Sequence, residues 1–178
     1  SPTVRFYNYN TTTNLYNSVP SISTAQFAQG AGYLIRMPNN HPTTPTVWEG
    51  VFNGVPHNGD VSVTMNNLGA GQAYNLVGNP YPSAIDMYAF VQDNTDAITG
   101  TLYFWRKTNN IASPSYCQWT QGTFVSNGED QVVDPDGVIR TGQGFFVEAK
   151  PGQVSLIFKN THRFDDNANR NRKKIAFG

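Results

Sequence analysis

The 178-residue chain balances twelve Lys+Arg against twelve Asp+Glu, and only 13% of its residues are charged, about half the share of an ordinary soluble domain. Zero net charge argues against nucleic acid as a partner, which needs a concentrated positive field. No apolar run approaches the roughly 20 residues of a membrane-spanning helix, so membrane insertion is not expected. Polarity comes instead from Asn, Thr, Ser and Gln, residues that suit water-facing strands and turns. Aromatics make up 13% of the chain, with 16 Gly and 11 Pro to supply turns, and this composition leans all-β.

A chain of this length buries roughly two-thirds of its unfolded surface and needs no staple. Cys117 is the single cysteine, so no internal disulfide forms; a cytosolic protein fits this, and so does an exported one with a sufficient core. Ser1-Pro2-Thr3 does not open a signal peptide, and the chain reads as a segment of something longer.

In chain order, Thr3 to Tyr9 is a first expected strand. Gly30-Ala31-Gly32 then leads into Tyr33 to Met37 (YLIRM), an apolar run that reads as a central strand, and Val47 to Phe52 is another strand. Val61, Val63 and Met65 alternate with Ser62 and Thr64, the period of two of a strand with one buried face. Tyr74 to Val77 and Thr101 to Arg106 (TLYFWR) read as further central strands. Between them one helix is expected near residues 83 to 93, with Ser83 as N-cap and Asp86 three residues later. Val154, Leu156 and Phe158 alternate with Ser155, Ile157 and Lys159 in a closing strand. Asn-, Pro- and Gly-rich breakers such as Pro56-His57-Asn58-Gly59 and Asp134-Pro135-Asp136-Gly137 separate the runs. Many short strands between turn signals predict an antiparallel β-sandwich of jelly-roll or immunoglobulin-like type.

Gly30-Ala31-Gly32-Tyr33-Leu34-Ile35-Arg36 echoes Gly142-Gln143-Gly144-Phe145-Phe146-Val147-Glu148: Gly-x-Gly, an aromatic, two large apolar residues, then a charge. A phosphate cradle needs such glycines to open a helix. Here they precede strands, so the expectation is a turn or bulge feeding a sheet.

No Gly-x-Ser-x-Gly elbow, zinc-ligand spacing or distinguished carboxylate pair is present. Cys117 reads as a small buried strand residue. Two binding chemistries remain. Glu129, Asp130, Asp134 and Asp136 crowd hard oxygen donors into one stretch, which suits calcium if any ion is held; no other cofactor is implied. Trp48, Trp105 and Trp119, with Tyr81, Tyr103 and Tyr116, offer flat aromatic faces that suit sugar rings, and of these Trp48, Tyr81, Tyr116 and Trp119 are the candidate carbohydrate-binding residues. Of the tryptophans, Trp105 is assigned to the core within Leu102-Tyr103-Phe104-Trp105, and Trp119, between Gln118 and Thr120, to the surface.

Tyr74-Asn75-Leu76-Val77-Gly78-Asn79-Pro80-Tyr81-Pro82-Ser83-Ala84-Ile85-Asp86 resembles a segment of large secreted and cell-surface proteins of Bacteroidota that leave the cell through the type IX secretion system. Gly100-Thr101-Leu102-Tyr103-Phe104-Trp105, Gly142-Gln143-Gly144-Phe145-Phe146-Val147 and Phe158-Lys159-Asn160-Thr161-His162-Arg163 are similar to that family's further motifs, in the same order, with Lys159 and His162 as departures. The resemblance spans Gly30 to Arg163. It implies a β-sandwich module of an exported protein, lying before a C-terminal sorting domain, and carries no catalytic residue.

The expectation is therefore a single β-sandwich domain over residues 1–165, with residues 166–178 as a polar, basic tail or linker toward a further segment. Its expected role is non-catalytic, structural and adhesive, at the outer surface of a Gram-negative bacterium. Expected partners are neighbouring domains of the parent protein and secretion or cell-surface components. The alternative is a carbohydrate-binding module that engages glycans on behalf of an attached enzyme.

Overall fold

The computed structural model describes residues 6–19, 26–36, 53–106, 112, 115–129 and 134–163. In chain order these form β1 (Phe6–Asn10), β2 (Leu15–Ser18), β3 (Leu34–Ile35), β4 (Val61–Thr64), β5 (Tyr74–Gly78), β6 (Ile85–Asp86), α1 (Met87–Asp93), β7 (Ile98–Trp105), β8 (Tyr116–Thr120), β9 (Thr123–Val125), β10 (Val138–Ile139), β11 (Gly144–Ala149) and β12 (Ser155–Phe158), closed by a 3-10 turn at Asn160–His162. Every strand pairing among them is antiparallel. The protein is an all-β, sandwich-like fold, with one short α-helix among the described residues.

A five-stranded sheet in the order β5-β11-β7-β8-β9 forms one layer. Its inner face follows the period of two: Leu102 and Phe104 from β7, Cys117 and Trp119 from β8, and Phe145 and Val147 from β11 are all buried. The two-stranded β4–β12 sheet and α1 form the opposing layer, contributing Val61, Leu156, Phe158, Met87 and Phe90 to the same core. Phe90 stacks on Phe158 with centroids 4.8 Å apart and meets Phe145 edge-on at 5.6 Å. Each such buried ring contributes about 1.5–3 kcal/mol by burial, and ring-on-ring geometry adds about 0.5–1.5 kcal/mol per pair.

Two tryptophans exchange their expected places. Trp119 is 3% exposed and Trp105 is 49% exposed. The registers Leu102↔Trp119 and Trp105↔Tyr116 explain both. With Phe104 inward, its neighbour Trp105 must point outward. Gln118 and Thr120 are the outward positions that flank an inward Trp119.

The helix begins later than expected. Residues 85 and 86 pair with Ile139 and Val138 as a two-stranded ribbon, so the chain stays extended until Met87. Asp86, not Ser83, is the N-cap, its carboxylate accepting from the Ala89 N–H at 2.9 Å and satisfying one of the orphan donors of the first turn. Ser83 instead accepts a hydrogen bond from Arg163 Nε at 2.9 Å.

The run Tyr33 to Met37 is not a central strand. Among the described residues of the run only Leu34–Ile35 forms a strand, and it pairs with β1 at one side of the small β2-β1-β3 sheet. The preceding glycines do feed a sheet. Gly32 N–H donates to Leu76 O at 3.1 Å and Gly78 N–H to Gly30 O at 2.9 Å, while Gly144 pairs with Gly78 from the other side. The two Gly-x-Gly segments therefore flank β5 on its opposite edges. A Cβ at Gly32 would lie 2.7 Å from the Val77 carbonyl oxygen, a separation that only glycine avoids. The expected strand over Val47 to Phe52 lies outside the described residues, as do residues 166–178.

Asparagine also departs from its water-facing expectation: Asn75, Asn79 and Asn94 are buried. Each uses its side-chain amide as a surrogate peptide group. Asn75 accepts from Asn66 N–H at 2.8 Å and donates to Asn66 O at 2.9 Å. Asn94, the residue that ends α1, accepts from Ile157 N–H at 2.7 Å and donates to Ile157 O at 2.8 Å, supplying β12 with pairing that no strand provides. Asn79 accepts from Tyr81 N–H and donates to Ser83 O, bracing the Pro80-Tyr81-Pro82 bend. Buried backbone groups require such partners.

A candidate aromatic cleft

The outward face of the five-stranded sheet is not polar. Tyr103 from β7, Tyr116 and Gln118 from β8, Phe146 from β11 and Tyr74 from β5 share it, as their registers require. The β1–β2 hairpin leans over this face. Thr11, buried in its turn, donates to Tyr74 O at 2.7 Å, and Gln72 Nε2 donates to Thr12 O at 2.6 Å. These two bonds hold Tyr9 and Asn14 opposite the sheet.

Between hairpin and sheet lies a cleft of about 370 Å3, within the range of small-molecule sites. Tyr9 meets Phe146 edge-on at 4.7 Å, and Tyr116 meets the same ring at 5.7 Å. Tyr103 meets Tyr74 at 5.6 Å. Trp105 contacts Tyr116 at 5.1 Å and continues the aromatic band out of the cleft to solvent. Asn14, Ser115 and Gln118 supply polar groups along the lining.

The tyrosines keep their protons. Burial, followed by hydrogen bonding to the Tyr74 side chain, pushes Tyr103 up to about 12. Burial, followed by hydrogen bonding to the Tyr16 side chain, pushes Tyr116 up as well, and burial raises Tyr9. At neutral pH the hydroxyls of Tyr9, Tyr103 and Tyr116 are thus both donors and acceptors, and the lining includes no Asp, Glu, Lys, Arg or His among the described residues.

Of the aromatics singled out from sequence, Tyr103 and Tyr116 stand in this cleft, and Trp105 lies beside Tyr116. Tyr81 is 2% exposed. Its hydroxyl is directed inward, 2.8 Å from the carbonyls of both Gly59 and Phe158, so its face is not available to a ligand. Trp119 is core. Trp48 lies outside the described residues. Tyr9, Tyr74 and Phe146 were missed. The signal for Tyr103 and Tyr116 was alternation with inward neighbours, whereas Tyr9 reaches the cleft from a hairpin distant in sequence.

The acidic candidates are distributed differently. Glu129 is buried. Asp134 accepts from the Asp136 N–H at 2.8 Å, closing an Asx turn in which Asp136 has φ of 62°. Asp130 lies outside the described residues. Among the described residues no three His, Cys, Asp or Glu side chains gather as metal ligands.

Elsewhere, His162 is buried, accepts from Lys159 N–H at Nδ1 (3.1 Å), and faces Asp93 at 2.8 Å through Nε2. With Nδ1 accepting, the ring proton sits on Nε2 and donates to the carboxylate. These hydrogen bonds from His162 and Lys159 hold the Asp93 carboxyl below its usual value. The trio fastens the 3-10 turn to α1. Cys117 is buried at 1% exposure, and burial raises its thiol, the opposite of an activated nucleophile.

Fold and cleft together define a small antiparallel β module with an uncharged aromatic recess on the outer side of its main sheet. The chain belongs to the family described as a domain of unknown function, DUF8693, whose model matches residues 1–175. No curated protein and no solved structure matches it.

Proposed function

We propose that this chain is a non-catalytic carbohydrate-binding module that gives an exported bacterial surface protein its adhesion to glycans. The observation that carries the reading is the cleft of Tyr9, Tyr103, Tyr116 and Phe146 with amide groups of Asn14 and Gln118 at its lining. Sugar rings present apolar C–H faces bounded by hydroxyls, and this lining pairs aromatic rings with groups that both donate and accept. The site lies on paired strands, which keep it pre-formed and cut the ordering cost of binding.

The exported setting rests on the resemblance of Tyr74 to Asp86 and its companion motifs to type IX secretion cargo. In that setting the module sits at the outer cell surface, beside other domains of its parent protein. A glycan array with the isolated chain, run with and without calcium, tests binding. Tyr103→Ala and Tyr116→Ala should each abolish the array signal while circular dichroism stays unchanged. An array blank for the unaltered chain in both buffers would refute the reading. The setting is tested by fractionating cells that carry the parent protein, with and without a working type IX machinery; retention inside the mutant cells is expected.

A further inference from the structure

The cleft also states which sugars it takes, an inference that rests on the carbohydrate reading. We propose that it selects neutral glycans and rejects uronic, sialic and sulfated ones. The lining residues (three of them Tyr103, Tyr116 and Gln118) include no Lys, Arg or His among the described residues. An anionic sugar buried there would lose its hydration without gaining a charged partner, and an unpaired buried charge is costly. Sites built for carboxylate or sulfate place a guanidinium or ammonium against it, and among the described residues none lines the cleft. The one charge on the neighbouring strand has the wrong sign for an anion. Glu148 pairs with Tyr74 across β5 and β11, and its field opposes ionisation of Tyr103. The hydroxyls and amides of the lining suit the mixed donor and acceptor pattern of neutral sugar hydroxyls instead.

Isothermal titration of the full chain against two panels tests this: neutral gluco-, manno-, galacto- and xylo-oligosaccharides, and acidic oligogalacturonate, alginate and chondroitin sulfate fragments. At least one neutral ligand should bind tenfold or more tightly than any acidic one, with little change between low and high salt. Gln118→Arg should narrow or invert that ratio by adding the missing cation, and circular dichroism confirms that the variant is folded. Tighter binding of an acidic ligand by the unaltered chain would overturn the selectivity while leaving carbohydrate recognition standing. Binding of neither panel would overturn both.

Discussion

The phenolic hydroxyl of Tyr81 lies 2.8 Å from the carbonyl oxygen of Phe158, joining the Asn79-Pro80-Tyr81-Pro82 bend to the last strand of the core. Gly59 O lies at the same distance, and the Arg163 guanidinium sits 5.3 Å from the Tyr81 ring centroid. The most recognisable motif of the chain is thus a clamp across the fold. Tyr81→Phe keeps the ring and removes the hydroxyl, leaving the buried Phe158 carbonyl short of a donor. It should destabilise the protein by about 1–3 kcal/mol in a urea titration, with sugar affinity unchanged.

Asn94 carries a comparable burden. Besides both bonds to Ile157, its Nδ2 donates to Phe90 O at 2.8 Å. Asn94→Leu preserves approximate volume but strands the N–H and C=O of Ile157. A loss of about 2–3 kcal/mol is expected, read as a lower urea midpoint, and amide exchange along β12 should quicken. Asn94→Asp retains the acceptor but not the donor, and still falls short of the unaltered protein.

Trp105 extends the aromatic band beyond the cleft mouth, where Tyr116 contacts it. Trp105→Ala should therefore weaken long oligosaccharides more than short ones, by roughly tenfold for the longest, in line with about 1–3 kcal/mol for an aromatic hot spot. Titrations with a length series of one neutral sugar check it; equal losses at every length would contradict the placement of Trp105 as an outer subsite.

The cleft tyrosines predict an alkaline limit. Tyr103 titrates near 12 in the folded protein against a reference of 10.0. A proton held more tightly by the folded state stabilises it fully below pH 10, and that contribution disappears as pH rises from 10 through about 12. Tyr116 and Tyr9 are shifted in the same sense. Thermal melting should be flat with respect to these groups up to about pH 10 and fall steeply above it, and Tyr103→Phe should soften the fall.

The sequence carried the fold further than the site. Alternation around Val61–Thr64 and Ser155–Phe158 announces strands with one buried face, the apolar run Thr101 to Arg106 announces another, and those strands form. The two-residue β6 and β10 are shorter than one period of any pattern and could not be read, whereas β3 is two residues of a run that reads as a longer, central strand. For the tryptophans the pattern was present but outweighed by residue type. Trp105 lies among apolar neighbours and Trp119 among polar ones, yet strand geometry assigns faces by position. The buried amides of Asn75, Asn79 and Asn94 leave no trace in composition, because their partners lie in other segments. The cleft was out of reach for the same reason: the hairpin brings Tyr9 against Phe146 across most of the chain.

The tripeptide Gly30-Ala31-Gly32 has one more effect. Without it, β5 would end the main sheet with idle amides and carbonyls, a template onto which the same segment of an adjacent copy could zip. Ala31 bridges Val77 there, and glycines on either side let the chain lie close enough to do so. The sheet is self-terminating on that flank, so molecules crowded together can stay separate and still expose their recesses.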